Sequence, residues 1–139
     1  MRRTSFADMP CSVARTLEVV GEWWTMLVIR EAFNGVRRFD DFQGNLGIAR
    51  NVLAARLQSL VDHEVLERRQ YQDRPPRFEY HLTQKGRDLY PVLIAMLTWG
   101  DKWMAGEAGP PLKLTHECGH APDAELVCSH CKEKLDARQ

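Results

Sequence analysis

Arg50-Asn51-Val52-Leu53-Ala54-Ala55-Arg56-Leu57-Gln58-Ser59-Leu60-Val61 reads as a helix with two unlike faces. Leu53, Leu57, Leu60 and Val61 recur at helical spacing. The opposite face carries Asn51, Ala55, Gln58 and Ser59, polar or small side chains that allow another surface to approach closely. Gly47 turns the chain into this helix from a shorter one, Phe39 to Leu46, which presents Phe39, Phe42 and Leu46. Two strand-like runs follow at 66–71 and 78–82, joined by Gln72-Asp73-Arg74-Pro75-Pro76-Arg77, a stiff loop with two guanidinium groups. Short helix, tight turn, amphipathic helix, basic ribbon: this order predicts a winged helix-turn-helix, mainly α with a small β-ribbon (α+β).

The 139 residues carry no net charge, and 44% are hydrophobic. That suffices for one domain with a core and a short appendage. Zero net charge would argue against binding DNA only if the charge were evenly spread. It is not. Residues 1–36 hold four basic and four acidic groups, residues 37–87 ten and seven, and residues 88–139 five and eight. The excess of +3 therefore sits on the helix and ribbon. A tail of −3 need not cancel it across a screening length of about 10 Å. Glu, Arg or Lys interrupts each apolar run well short of a membrane span. Met1-Arg2-Arg3-Thr4 lacks the apolar stretch of a signal peptide. A cytoplasmic protein with no membrane partner is expected.

Along the chain, residues 1–10 read as a flexible arm, 11–109 as the DNA-binding and dimerisation domain, and 110–139 as a Cys/His-rich tail. Val13, Leu17 and Val20 mark a helix from Cys11 to Val20, which Gly21 ends. Residues 22–33 form a helix apolar almost all round, with Trp23, Trp24, Met26, Leu27, Val28, Ile29 and Phe33, and so the expected buried centre. Asn34-Gly35 closes it, the glycine free to turn left-handed. A recognition helix running to about His63 would force Glu64 into that same conformation. Phe78-Glu79-Tyr80-His81-Leu82 alternates, which predicts one buried face. Thr83 is a good N-cap for a long helix to about Met104, bent at Pro91. Its stripe, Leu89, Val92, Leu93, Met96, Trp99 and Trp103, calls for the first helix or a second subunit as cover.

Double-stranded DNA is the partner these side chains fit. Asn51 and Gln58 can pair with adenine, Ala55 leaves room for a thymine methyl, and Arg50 reaches guanine or a phosphate; Ser59 completes the face. Arg56 lies on the flank, open to DNA or to a pair with Asp40 or Asp41. Arg74 and Arg77 suit phosphates or a narrow minor groove. Cys11, after Pro10 at a helix start, is either a reactive thiol favoured by the positive helix end or a small packing residue. In the tail, His116-Glu117-Cys118-Gly119-His120 precedes Cys128-Ser129-His130-Cys131. His116, Cys118, Cys128 and Cys131 would give four ligands for structural zinc, with His120 as the substitute. The single residue between His116 and Cys118 is short for a zinc knuckle. No phosphate-binding glycine loop and no Gly-x-Ser-x-Gly elbow is present, so catalysis is not expected. Two other classes stay open: a metal-responsive regulator switched by the tail, and a winged helix that binds protein.

The blocks Cys11-Ser12-Val13-Ala14, Trp24-Thr25-Met26-Leu27-Val28-Ile29-Arg30, Arg38-Phe39-Asp40-Asp41-Phe42, Asn51-Val52-Leu53, Arg56-Leu57, Leu66-Glu67-Arg68 and Leu82-Thr83-Gln84-Lys85-Gly86 resemble, in order, those of the HxlR-type transcriptional regulators, relatives of the MarR winged-helix group. The resemblance implies a homodimer joined through its terminal helices on a near-palindromic operator. It also implies a small-molecule or electrophile inducer sensed, in some members, by a cysteine at the position of Cys11. Two residues depart from that pattern. Trp23 replaces a usual basic residue, and Glu64 replaces the glycine that usually ends the recognition helix.

Overall fold

The computed structural model describes residues 4–138. Its elements run α1 (Ser12–Val20), α2 (Thr25–Phe33), α3 (Phe39–Leu46), α4 (Arg50–Asp62), β1 (Leu66–Gln72), β2 (Arg77–Leu82), α5 (Gln84–Arg87) and α6 (Tyr90–Trp103). The chain divides into two compact units at Tyr90/Pro91, inside the stretch 11–109 expected as a single domain.

In the first unit, α2, α3 and α4 converge on a core of Val28, Ile29, Phe42, Leu53, Leu57 and Leu60, closed by Val65 and Leu66 at the start of the ribbon. The three leucines of α4 fall on the face predicted from their spacing. The helix α2 begins at Thr25, not at residue 22, because the Glu22 carboxylate accepts the Trp24 N–H at 2.9 Å and the Thr25 hydroxyl at 3.2 Å, and so caps it. Residues 22–24 thus lie before the helix, and Trp23 is 86% exposed where burial was expected. At the other end Arg37 donates to the carbonyls of Ala32 at 2.7 Å and Val36 at 2.9 Å. Glu31, buried beneath this turn, is satisfied by Arg30 at 3.1 Å and Asn45 at 3.0 Å.

The ribbon is antiparallel, with Leu66 opposite Leu82 and Gln70 opposite Phe78, and a bulge between Gln70 and Gln72. On its far edge, the Tyr80 N–H donates to the Arg37 carbonyl at 2.8 Å. The alternation in β2 does not give a buried face. None of its residues is fully buried, because only the base of the ribbon, at Leu66, reaches the core.

Thr83 caps a helix, as expected, but a short one. Its hydroxyl accepts the Gly86 N–H at 3.0 Å, and α5 stops at Arg87. Pro91 has no N–H, and its ring collides with the carbonyl four residues back. The chain therefore breaks at Asp88–Leu89 and restarts as α6, instead of bending within one helix. Residues 4–10, part of the expected arm, are in contact with α1: Phe6 N–H donates to Glu18, and Arg15 Nε donates to the Met9 carbonyl at 3.1 Å. Residues 1–3 lie outside the described chain.

Glu64 has φ 60°, the left-handed value its place after α4 requires. Its side chain is exposed, and its backbone does the structural work, donating to Val61 at 3.0 Å and accepting from Thr83. Glycine keeps those backbone bonds and removes the Cβ penalty. We expect Glu64→Gly to raise stability by about 1 kcal/mol with operator affinity unchanged, as read by thermal melting beside a binding titration. A lower melting temperature would contradict it.

Candidate nucleic-acid interface

Thirteen residues of α4 make a rod about 20 Å long, one face of which is sealed by Leu53, Leu57 and Leu60. Asn51, Ala55 and Gln58 are exposed on the other face, and Ser59 is half-buried at its edge. Their freedom differs. The Gln58 amide donates to Asp62 at 2.8 Å, one helical turn on. The Asn51 amide has no hydrogen-bond partner among the described residues, so its donor and acceptor stand ready for a ligand.

The arginines also sort by partner. Arg50 is held on α3, with Asp40 at 3.2 Å, Gln43 at 2.9 Å and its guanidinium over the Phe39 ring at 4.6 Å. Reaching a base would mean exchanging these contacts. Arg56 lies 3.6 Å from Glu22, with three quarters of its side chain covered. Its acidic neighbour is therefore Glu22, not Asp40 or Asp41. Because Glu22 caps α2, this pair ties the middle of α4 to the start of the buried helix.

Sequence reading missed Glu22 because its role depends on two segments meeting. It also missed Arg38, which sits 4.1 Å above the Tyr71 ring and 3.2 Å from Glu79. That hydrogen bond, and then one from His81, hold the Glu79 carboxyl below the usual carboxylate range. On the ribbon, Arg68 stacks over Phe78 at 3.9 Å and Arg69 pairs with Glu67.

Arg74 and Arg77 differ from all of these. Both are exposed at the wing, and neither guanidinium has an ion-pair, hydrogen-bond or ring partner among the described residues. The loop that carries them is itself fixed, because the Gln72 amide donates to the carbonyls of Arg74 at 3.3 Å and Pro75 at 3.2 Å. Uncompensated positive charge on a fixed loop is what a phosphate contact needs.

Cys11 is exposed at the N-cap of α1, where its carbonyl accepts the Arg15 N–H at 3.0 Å; its thiol makes no capping bond. The tail cysteines are also free thiols. The N–H groups of Cys131 and His130, followed by the Cys131 thiol, push the Cys128 thiol below its ordinary value. In the preceding turn, Cys118 Sγ lies 3.7 Å from His120 Nδ1, while His116 Nδ1 accepts the Cys118 N–H at 3.3 Å. Of the expected zinc ligands, Cys128 and Cys131 lie together, whereas the side chain beside the Cys118 sulfur is that of His120 and not His116. Among the described residues no three His, Cys, Asp or Glu side chains converge as a metal site.

Comparison with known proteins bears on the same elements. Residues 19–108 match the family model described as HxlR-like helix-turn-helix. The HTH-type transcriptional regulator Rv3095 of Mycobacterium tuberculosis (strain ATCC 25618 / H37Rv) is 48% identical over 128 residues, 91% of this chain and 81% of that one. The crystal structure of PA1607 is 37% identical and superposes over 97% of this chain and 95% of its own with a TM-score of 0.87. The redox regulator HypR in its reduced form is 31% identical, with a TM-score of 0.63 over 66% of this chain and 92% of its own. No helix among the described residues is long and apolar enough to cross a membrane. With a helix-turn-helix, a basic wing and a family match over most of its length, this chain belongs to the HxlR-like family of helix-turn-helix transcriptional regulators.

Proposed function

We propose that the protein is a homodimeric repressor that covers a near-palindromic operator and releases it when an electrophile or oxidant modifies Cys11. The observation that carries the DNA-binding part is the set of unpartnered polar groups, Asn51 on α4 with Arg74 and Arg77 on the wing. Ala55, Gln58, Ser59 and Arg50 complete the base-facing surface, and Arg56 steadies it from the flank. A dimer is supported by α6, the most apolar helix, which has no buried residue. Val92, Met96, Trp99 and Trp103 are exposed on it at spacings of four, three and four, the repeat of a helix-to-helix seam. Val13 and Leu17 on α1 are exposed as well.

Cys11 as the sensor is supported by its exposed thiol, its place at the start of α1, and the similarity of the chain to the redox regulator HypR, seen in reduced and oxidised forms. Cys11 lies outside residues 19–108, so the family match does not itself carry this role. The chemistry needs no second cysteine: the sulfur bonds to carbon of a quinone or aldehyde, the π bond there breaks, and the proton the thiol gives up is taken up, through solvent, by the adduct. The added bulk then stands on α1, beside its exposed apolar residues.

The test is operator binding with and without electrophile, using fragments selected from the host genome. Two chains should bind per operator, and the parent should lose about tenfold or more in affinity after treatment with a quinone, corresponding to about 1.4 kcal/mol. Cys11→Ser should bind equally well and ignore the quinone. A variant truncated after Pro111 separates this from effects on the tail thiols. If it and Cys11→Ser both respond like the parent, the signal does not enter at Cys11.

A further inference from the structure

The tail, residues 110–138, contains no buried residue; only Cys128 is even half-covered. A segment with no core cannot hold two tight turns by burial. Yet both turns are built in detail, and alike. In the second, Cys128 N–H donates to the Glu133 carbonyl and Lys132 N–H to the Cys128 carbonyl, each at 2.8 Å, while Val127 pairs with Lys134 and Leu135 N–H donates to Leu126 at 2.9 Å. This hairpin places Cys128 and Cys131 side by side at its tip, with the N–H groups of Cys131 and His130 aimed at the Cys128 sulfur.

The residue that follows, Lys132, is left-handed at φ 67° although it is not a glycine. In the first turn His116 N–H donates to the His120 carbonyl, Gly119 N–H to the His116 carbonyl, and the residue following Cys118 is again left-handed, Gly119 at φ 92°. There the close pair is Cys118 Sγ with His120 Nδ1, at 3.7 Å. The left-handed conformation strains the lysine and not the glycine, and hydrogen bonds from Lys132 to the Cys128 and Ser129 carbonyls hold it there, which keeps Cys128 and Cys131 at the tip of one closed turn.

We propose that the tail is a tetrahedral zinc site formed by Cys118, His120, Cys128 and Cys131. Its donors are three thiolates and one imidazole, the soft set that selects zinc over magnesium or calcium. The structure favours His120 over His116, because His116 Nδ1 accepts the Cys118 N–H, which leaves the proton of a neutral ring on Nε2, whereas His120 Nδ1 lies beside Cys118 Sγ. The N–H groups of Cys131 and His130 hydrogen-bond to the Cys128 sulfur, the kind of outer contact that orients a metal-ligating side chain. The two pairs do not yet converge, and residues 121–125, which join them, make no backbone hydrogen bonds among the described residues. This connector can fold over as the ion is bound. Binding exchanges the three thiol protons for the ion and changes no oxidation state. The site is independent of the proposed operator binding, and its test does not read DNA.

Full-length protein, reduced and purified without chelators, should carry one zinc per chain by native mass spectrometry. Replacing zinc with cobalt(II) should give the intense visible bands of a tetrahedral sulfur-ligated ion. Cys128→Ser with Cys131→Ser should abolish both signals while the melting of the winged helix is unchanged. His120→Ala should shift the cobalt bands and weaken zinc retention at least tenfold, and His116→Ala should do neither. Metal-free protein that also gives no tetrahedral cobalt spectrum would overturn the site. Loss of zinc with His116→Ala but not with His120→Ala would overturn this ligand set.

Discussion

Replacing Gly86 by alanine should lower the melting temperature by roughly 10–20 °C, corresponding to about 2–3 kcal/mol in a unit of this size. A Cβ at position 86 would stand 2.2 Å from the Val65 carbonyl oxygen and 3.0 Å from Leu82 Cδ2. The leucine methyl can rotate away, but the carbonyl cannot. Val65 is buried, and its oxygen is already the acceptor for the Thr83 N–H at 3.1 Å and the Thr83 hydroxyl at 3.2 Å. Alanine must therefore push α5 off the junction of α4 and β1, breaking the Thr83 cap as it goes. The wing is affected too, since Leu82 pairs with Leu66 at the base of the ribbon. Gly44→Ala is the matched control, because it lies within α3 with nothing within 4 Å of the added methyl. That change should stabilise slightly, by about 0.4–1 kcal/mol, since alanine is the better helix former. If Gly86→Ala melted within a degree or two of the parent, the close approach of α5 to Val65 would be refuted.

Gly86 also shows where sequence reading stops. Its motif, Leu82-Thr83-Gln84-Lys85-Gly86, is visible in the chain, but the need for glycine comes from a carbonyl 21 positions away. Features decided within one turn were legible. The helix α3 is bounded by Phe39 and Leu46 as read, Gly47 and Gly35 are left-handed, and Glu64 adopts the strained conformation that its place implied. Features decided by tertiary contact were not. The alternation of Phe78 to Leu82 suggested one buried and one open face, but all five residues are half-buried alike. Trp23 looked like core by composition, whereas the Glu22 cap delays α2 and leaves it outside.

The candidate site divides in the same way. The exposed face of α4 was readable, because 3.6-residue periodicity alone places Asn51, Ala55 and Gln58 opposite Leu53, Leu57 and Leu60. Which of those side chains is free was not. Asp62 engages Gln58, α3 holds Arg50, and Glu22 occupies Arg56. No spacing rule reports such pairs, and they turn a list of eight residues into an order of availability.

That order makes the last prediction specific. Asn51 is the exposed amide on α4 without a partner among the described residues, so it should be the main reader of sequence, while Arg74 should read only charge. A paired amide–adenine contact discriminates by about 1–3 kcal/mol, so Asn51→Ala should weaken operator binding roughly 10- to 100-fold per half-site. Binding to random DNA should hardly change, and the salt slope should stay the same. Arg74→Ala should weaken the operator and random DNA by similar factors. Each lost phosphate contact lowers the slope of log affinity against log salt by about 0.9, so a dimer should lose nearly 2. Gln58→Ala should cost less than Asn51→Ala, because its amide must first leave Asp62. The measurement is a salt titration of each variant on both DNAs. Equal losses on both DNAs for Asn51→Ala and Arg74→Ala would mean that helix and wing do not divide the work. A loss from Gln58→Ala exceeding that from Asn51→Ala would mean that the Gln58–Asp62 bond does not restrain the helix surface.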